Sequence, residues 1–310
     1  MDRTTLLPVA RRLGWATAVL WTVLTGCFLL LASLPPTRLV GFSKVEMGLA
    51  TLEGAGGSLP AMYVDWLTAI VGLQWGQSAH FGEPVAALFA RRLPVTAVYL
   101  LPSVTVAVLV GTLLTTYAAV DRDGLLARVV SATGVVGLAV PAFLLANVAF
   151  LYATASFEVI RLYDPDLGLW HTRNLLRLQV PGAIVGLSLL GVQVRHVRSE
   201  TVEHLRLPFV KTAQAKGAGR WRVAAHVFRT AWPSAASLVV GESLGVMLLA
   251  TVVVEYQLDV PGLGTLVFEA FAAGDPTVSA VALVGTVAVG VAGTLAVELL
   301  RTAFDPRVRR

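Results

Sequence analysis

The residues that could do covalent or metal chemistry in this 310-residue chain are few: five histidines, three lysines and one cysteine. The histidines, His80, His171, His196, His204 and His226, include no HExxH pair and no spacing at which two imidazoles would share a metal. Lys211 is followed by Thr212, as in a phosphate-cradling GxxxxGK[ST] loop, but Leu205 and Val210 occupy the two glycine positions. Backbone N–H groups could not close on a phosphate there, so ATP hydrolysis by that route is excluded. No catalytic residue and no metal site is expected. Cys27 has no second cysteine to pair with in the chain.

Glu242 stands out on other grounds. It lies near the middle of an apolar run, 230–254, where a carboxylate is costly unless it is paired, faces a bundle interior or lines an aqueous path. Gly241 and Gly245 form a small-xxx-small pair around it that lets a neighbouring helix approach closely. Pro141 interrupts another apolar run and more readily shapes a helix than binds a ligand. These four residues are candidates for a helix interface or for the wall of a solute path, and both roles stay open.

The elements that carry these residues are membrane helices. Hydrophobic residues make up 56% of the chain, charged residues only 14%, against about 25% in soluble domains. Mean hydropathy is +0.74. A crossing helix needs about 20 mostly apolar residues. Runs at 13–37, 93–120, 129–157, 178–194, 230–254 and 276–297 meet or approach that, giving an all-α integral membrane protein with six spans. The first run is too long for a signal peptide's apolar core and reads as a retained anchor. The segment 66–82 lacks charged side chains but contains Gln74, Gln77 and His80, and reads as interfacial, with its tryptophans at headgroup depth.

Sidedness follows from Lys and Arg. With the N-terminus inside, the inner pieces hold 17 of the 24 cations, eight of them in the loop 195–229. The positive-inside rule then places both termini in the cytoplasm. Because the cations gather at membrane boundaries, the net charge of +5 sets orientation and does not indicate nucleic acid. The chain divides into 1–91, an anchor helix plus a Gly- and Pro-rich extracytoplasmic cap, and 92–310, the remaining spans with the loop.

That loop carries the strongest signal. Pro208 stands where a helix would begin and Gly217 where one would end, the usual proline-first, glycine-after asymmetry. Phe209, Ala213 and Lys216 fall at helical spacing between them. A short, basic, small-faced helix suits a groove on a partner protein; composition alone equally allows a helix resting on anionic lipid. At the opposite side, 264–273 with Leu266, Phe268 and Phe271 reads as a short amphipathic helix ended by Gly274. It would serve as a lid or as a docking surface.

Phe209-Val210-Lys211-Thr212-Ala213-Gln214-Ala215-Lys216-Gly217 resembles the EAA loop of ABC importer permeases with the type I fold. It is most similar to the Y-V-R-T-A-R-A-K-G of B-type permeases of the dipeptide/oligopeptide/nickel family. Further segments match that family in order: Trp75-Gly76-Gln77-Ser78, then Arg91-Arg92-Leu93-Pro94-Val95-Thr96, then Leu138-Ala139-Val140-Pro141-Ala142-Phe143. Val252-Val253-Val254-Glu255 followed by Pro261-Gly262-Leu263-Gly264, and Phe304-Asp305-Pro306-Arg307-Val308-Arg309, complete the series. The P-G-D-P that usually follows the first span is only Leu34-Pro35-Pro36-Thr37.

The resemblance implies a permease that pairs with a second homologous permease in the prokaryotic cell membrane. Two ATPase subunits, which bind the ATP and Mg, would dock on residues 209–217. A solute-binding protein would dock outside, near Pro261, Gly262, Leu263, Gly264 and Phe268. Besides membrane lipid no other partner is implied, and no cofactor on this chain. Peptide is the implied solute, with nickel or another small solute the alternative within the family. An ion-coupled secondary transporter is the rival from another class; it would require several intramembrane acids and two related halves, neither of which is evident.

Overall fold

The computed structural model describes residues 3–33, 59–78, 80–157, 161–273 and 275–304, with the side chains of several helical stretches, 231–246 among them, outside that description. The chain is helical, and no strand occurs among the described residues. In order come α1 (Arg3–Ser33), α2 (Leu59–Val71), α3 (Val85–Val120), α4 (Leu125–Ala139), α5 (Ala142–Phe157) and α6 (Thr172–Arg177). Then follow α7 (Gln179–His204), α8 (Pro208–Ala215), α9 (Arg220–Gln257), α10 (Leu263–Ala273) and α11 (Pro276–Phe304).

The long helices α3, α7, α9 and α11 pack side by side around one core. Tyr99, Leu100, Val104, Val185, Leu189, Met247, Val254 and Val287 are all buried in it. Small residues set the helix spacing. A Cβ on Gly182 would stand 2.7 Å from the Ser103 hydroxyl of α3, and one on Gly137 of α4 would overlap the Leu187 carbonyl of α7. Buried polar side chains cross this apolar seam: Gln193 of α7, fully buried, donates to the Val108 carbonyl at 2.8 Å and to the Thr112 hydroxyl of α3. α1 lies against α11 and α2, where Phe28 meets the rings of Tyr63 and Trp66.

By length and apolar composition, two helical stretches among the described residues can cross a membrane, Val85–Val120 and Thr172–His204. Shorter apolar stretches, Gly14–Leu29, Met247–Gln257 and Thr277–Ala292, belong to α1, α9 and α11.

Three expectations change on contact with the fold. The apolar run 129–157 is not one rod: it breaks at Val140–Pro141 into α4 and α5, bent by 101°, because proline offers no N–H to the preceding turn and disfavours a helical residue before it. The flanking span helices reach into the loop 195–229 beyond the expected run ends: α7 runs on to His204, and α9 starts at Arg220 and continues through Pro233 without a break. The tryptophans of 66–82 pack against neighbouring helices: Trp66 is buried on Phe28, and Trp75 meets Phe89 edge-on at 5.2 Å. The amphipathic helix begins one residue earlier, at Leu263. The cap glycines at 54, 56 and 57, the P-P-T segment after the first span, Gly274 and the tail 305–310 lie outside the described residues.

Candidate functional site

The elbow at α8 is built from local backbone chemistry. Pro208 begins the helix, where its missing N–H costs nothing, and Thr212 returns its hydroxyl to the Pro208 carbonyl at 3.1 Å. At the other end the Gly217 N–H donates to the Gln214 carbonyl at 2.9 Å and the Ala218 N–H to the Ala213 carbonyl at 3.1 Å. That pair of bonds is a Schellman motif, and its turning residue Gly217 has φ +75°, the left-handed region that glycine tolerates best. Gly219 then caps α9.

Packing seats the elbow on its own chain. Val210 is 2% exposed and meets Val223 and Val227 of α9, with Val120, Leu205, Phe209 and Ala218 around them. Arg220 reaches Asp121, just past the end of α3, at 2.7 Å, and Trp221 lies against Tyr117. The buried side of the sequence-chosen segment is therefore Val210, with Phe209 and Ala213 half-buried. Lys211, Thr212, Gln214, Ala215, Lys216 and Gly217 are exposed. With Arg206 and Arg222, also exposed, they form a basic surface fit for an acidic or polar groove.

At the far end of α9 stands a residue that the search for intramembrane acids passed over. Glu255 is fully buried. Its Oε1 accepts from the Thr96 hydroxyl and the Tyr99 hydroxyl of α3, each at 2.6 Å. Its Oε2 accepts from the backbone N–H of Gly264 at 2.6 Å and of Thr265 at 3.1 Å. Thr96 relays further, its Oγ1 accepting from the Leu263 N–H at 2.8 Å. The carboxyl thus fills its acceptor sites with four donors and caps α10. The glycines of the P-G-L-G turn make this possible: a Cβ at Gly262 would overlap the Glu255 carboxyl, and one at Gly264 would lie 2.7 Å from Val252 Cα. Gly262, Leu263 and Gly264 are consequently buried, Pro261 is half-buried, and of the residues expected to dock a partner only Phe268 is exposed.

A second buried acid repeats the device one helix later. Asp275 caps α11 through the Val278 N–H at 2.9 Å and accepts from the Ser78 hydroxyl at 2.6 Å. This gives the Trp75–Ser78 stretch its place: it fastens the turn before α3 to the α10–α11 junction. In the sequence Glu255 stands only as the last letter of the V-V-V-E motif and Asp275 falls in none of the motifs; the signal that could have found them is an acid ahead of a helix start, Asp275 at the cap position and Glu255 before a Pro-Gly turn.

Gly241, Glu242 and Gly245 lie on the helical backbone of α9, but their side chains are outside the described residues. The stretch 241–245 reads G-x-S-x-G by letter; its backbone is continuous helix, without the strand-to-helix turn that exposes a nucleophile. Pro141 is exposed at the α4–α5 break. No group of three His, Cys, Asp or Glu that could hold a metal occurs among the described residues.

Comparison with known proteins decides the family. Residues 86–310 match the family described as binding-protein-dependent transport system inner membrane component. The chain belongs to this family. A Brucella abortus (strain 2308) relative, named as a candidate permease protein of a peptide transport system, is 31% identical over 79% of this chain and 78% of its own. A dipeptide transport system permease protein of Lactococcus lactis subsp. cremoris is 24% identical over 97% of this chain and 98% of its own. The matched region of this inner membrane component contains both the elbow and the buried acids.

Proposed function

We propose that the chain is one of two paired permease subunits of an ATP-driven importer that carries peptides across the cell membrane. The observation that carries the reading is the elbow: a basic helix closed by a Schellman turn, seated on its own chain through Val210 and exposed on its other side. Membership in a binding-protein-dependent transport family supports an extracytoplasmic binding protein and a separate ATPase as partners. In this reading two ATPase subunits hold ATP and Mg, dock on Lys211, Thr212, Gln214 and Lys216, and move α8 as they close. Six spans follow from the six apolar runs, and both termini inside from the cation distribution. The domain division at 91/92 accompanies it, the N-terminal part adding an anchor and cap to the transport unit. The relatives' names favour peptide over nickel.

The test is reconstitution of this chain with a second permease, the ATPases and the binding protein in sealed vesicles. Peptide uptake that requires ATP is expected, and Ala213→Glu should leave the permease pair assembled but stripped of ATPase on co-purification. An acid there adds volume and an unpaired charge beside Val210, with a cost of roughly 3–5 kcal/mol if it is buried by a partner. Full transport by Ala213→Glu would remove the coupling role from α8.

A further inference from the structure

We propose that Glu255 is a positioning residue that makes α10 and the last turn of α9 one rigid body, so that force applied at α10 is carried along α9 to the α8 elbow. The proposal rests on the reading of α8 as the element that meets the ATPase. It goes beyond that reading by assigning the other end of the same helix.

The hydrogen-bond accounting at the start of α10 is complete. The Gly262 N–H goes to the Val260 carbonyl at 2.8 Å, the Leu263 N–H to Thr96, and the Gly264 and Thr265 N–H groups to Glu255. All four orphan donors of a helix N-terminus are therefore met from within the protein, three of them by Glu255 or its partner Thr96. If α10 swung away from α9 and α3, the buried Oε2 of Glu255 and the N–H groups of Leu263, Gly264 and Thr265 would lose their partners together. Contact geometry leaves no slack either, since Gly264 packs directly on Val252 Cα and the Thr251 carbonyl. The Thr265 hydroxyl adds a bond to the Val260 carbonyl at 2.7 Å, and Arg92 of α3 reaches Glu269 at 3.1 Å.

Burial separates this role from the obvious other one. A carboxyl that bound a cationic solute or carried protons would face water or a cavity, whereas Glu255 is 0% exposed with both oxygens occupied. Meanwhile α9 is a continuous helix of 38 residues, roughly 57 Å at 1.5 Å per residue, whose first turns carry Val223 and Val227 against Val210. A rod clamped at both ends transmits displacement between them; a rod with a loose outer helix does not.

The experiment uses the complete importer in sealed vesicles, with the pair Tyr256→Cys and Phe268→Cys in a Cys27→Ser background. The two rings lie 3.7 Å apart on α9 and α10 and are both exposed on this chain. A short bis-methanethiosulfonate reagent, reversed by reductant, bridges them. Bridging should leave peptide uptake as it was in the same variant before treatment, because the two helices already move together. Uptake that stops on bridging and returns with reductant would show that α10 must part from α9, and would overturn the proposal. In the same background Glu255→Leu should lower ATPase stimulation by loaded binding protein roughly ten-fold or more, with assembly and unstimulated ATPase unchanged, and bridging should restore the stimulation. Undiminished stimulation, or no recovery on bridging, would equally overturn it. The uptake arm judges the α9–α10 body whether or not α8 docks an ATPase; failure of the docking reading would instead leave ATPase unresponsive in every variant, bridged or not.

Discussion

Replacing Gly217 by valine strains the elbow through its backbone alone. A Cβ at this position would meet nothing within 4 Å, so no steric neighbour contributes, and the whole penalty comes from φ +75°. For an L-residue with a branched side chain that conformation costs about 2 kcal/mol. The chain can escape by returning residue 217 to negative φ, but it then forfeits the two Schellman bonds, from 217 to 214 and from 218 to 213, each worth about 1 kcal/mol. Both routes give the same bound, so the closed elbow should lose roughly 30-fold in population relative to open forms. The assay is amide hydrogen exchange at residues 217 and 218, whose protection should fall by that factor, followed by pull-down of the ATPase, which should weaken in step. Gly217→Asn is the control, since asparagine tolerates the left-handed region and should stay close to wild type. Protection in Gly217→Val equal to wild type would refute the argument. Lost protection with ATPase binding intact would detach the elbow's geometry from docking.

Two further outcomes are expected. Single cysteines at Arg173 and Gln214, in the Cys27→Ser background, should label differently with an impermeant thiol reagent: position 173 on intact cells, position 214 only after lysis; labelling of 214 on sealed cells would reverse the assigned orientation. Gly137→Ala drives a methyl into the Leu187 carbonyl and within 2.9 Å of the Gly191 N–H, so α4 and α7 must separate at a cost of about 1–3 kcal/mol. A lower thermal midpoint of the detergent-solubilised protein is the readout, and an unchanged midpoint would mean that this helix contact is slack.

What could be read from the chain without coordinates was whatever depends on neighbours in sequence. Helix α8 is the clearest case: Pro208 and Gly217 mark its ends because both act through their own φ and N–H, and the structure places the helix at Pro208–Ala215 with the left-handed turn on Gly217. The membrane class is similarly legible, since hydropathy is a property of runs, and family membership rests on motif order. Tertiary structure decided the rest. An acid in the middle of an apolar run drew attention to Glu242, whereas Glu255 is the one seen to join three helices, and that follows from where α3 and α10 lie, not from hydropathy. Pro141 announces the break, but neither the 101° angle nor the close approach of α4 to α7 at Gly137 and Gly191 can be read from the proline. Trp66 has the composition of an interfacial residue and is buried because Phe28, 38 positions earlier, happens to face it. Sequence pattern reports local backbone preference and average solvent; which side chains meet across a gap of tens or hundreds of residues is set only when the helices pack.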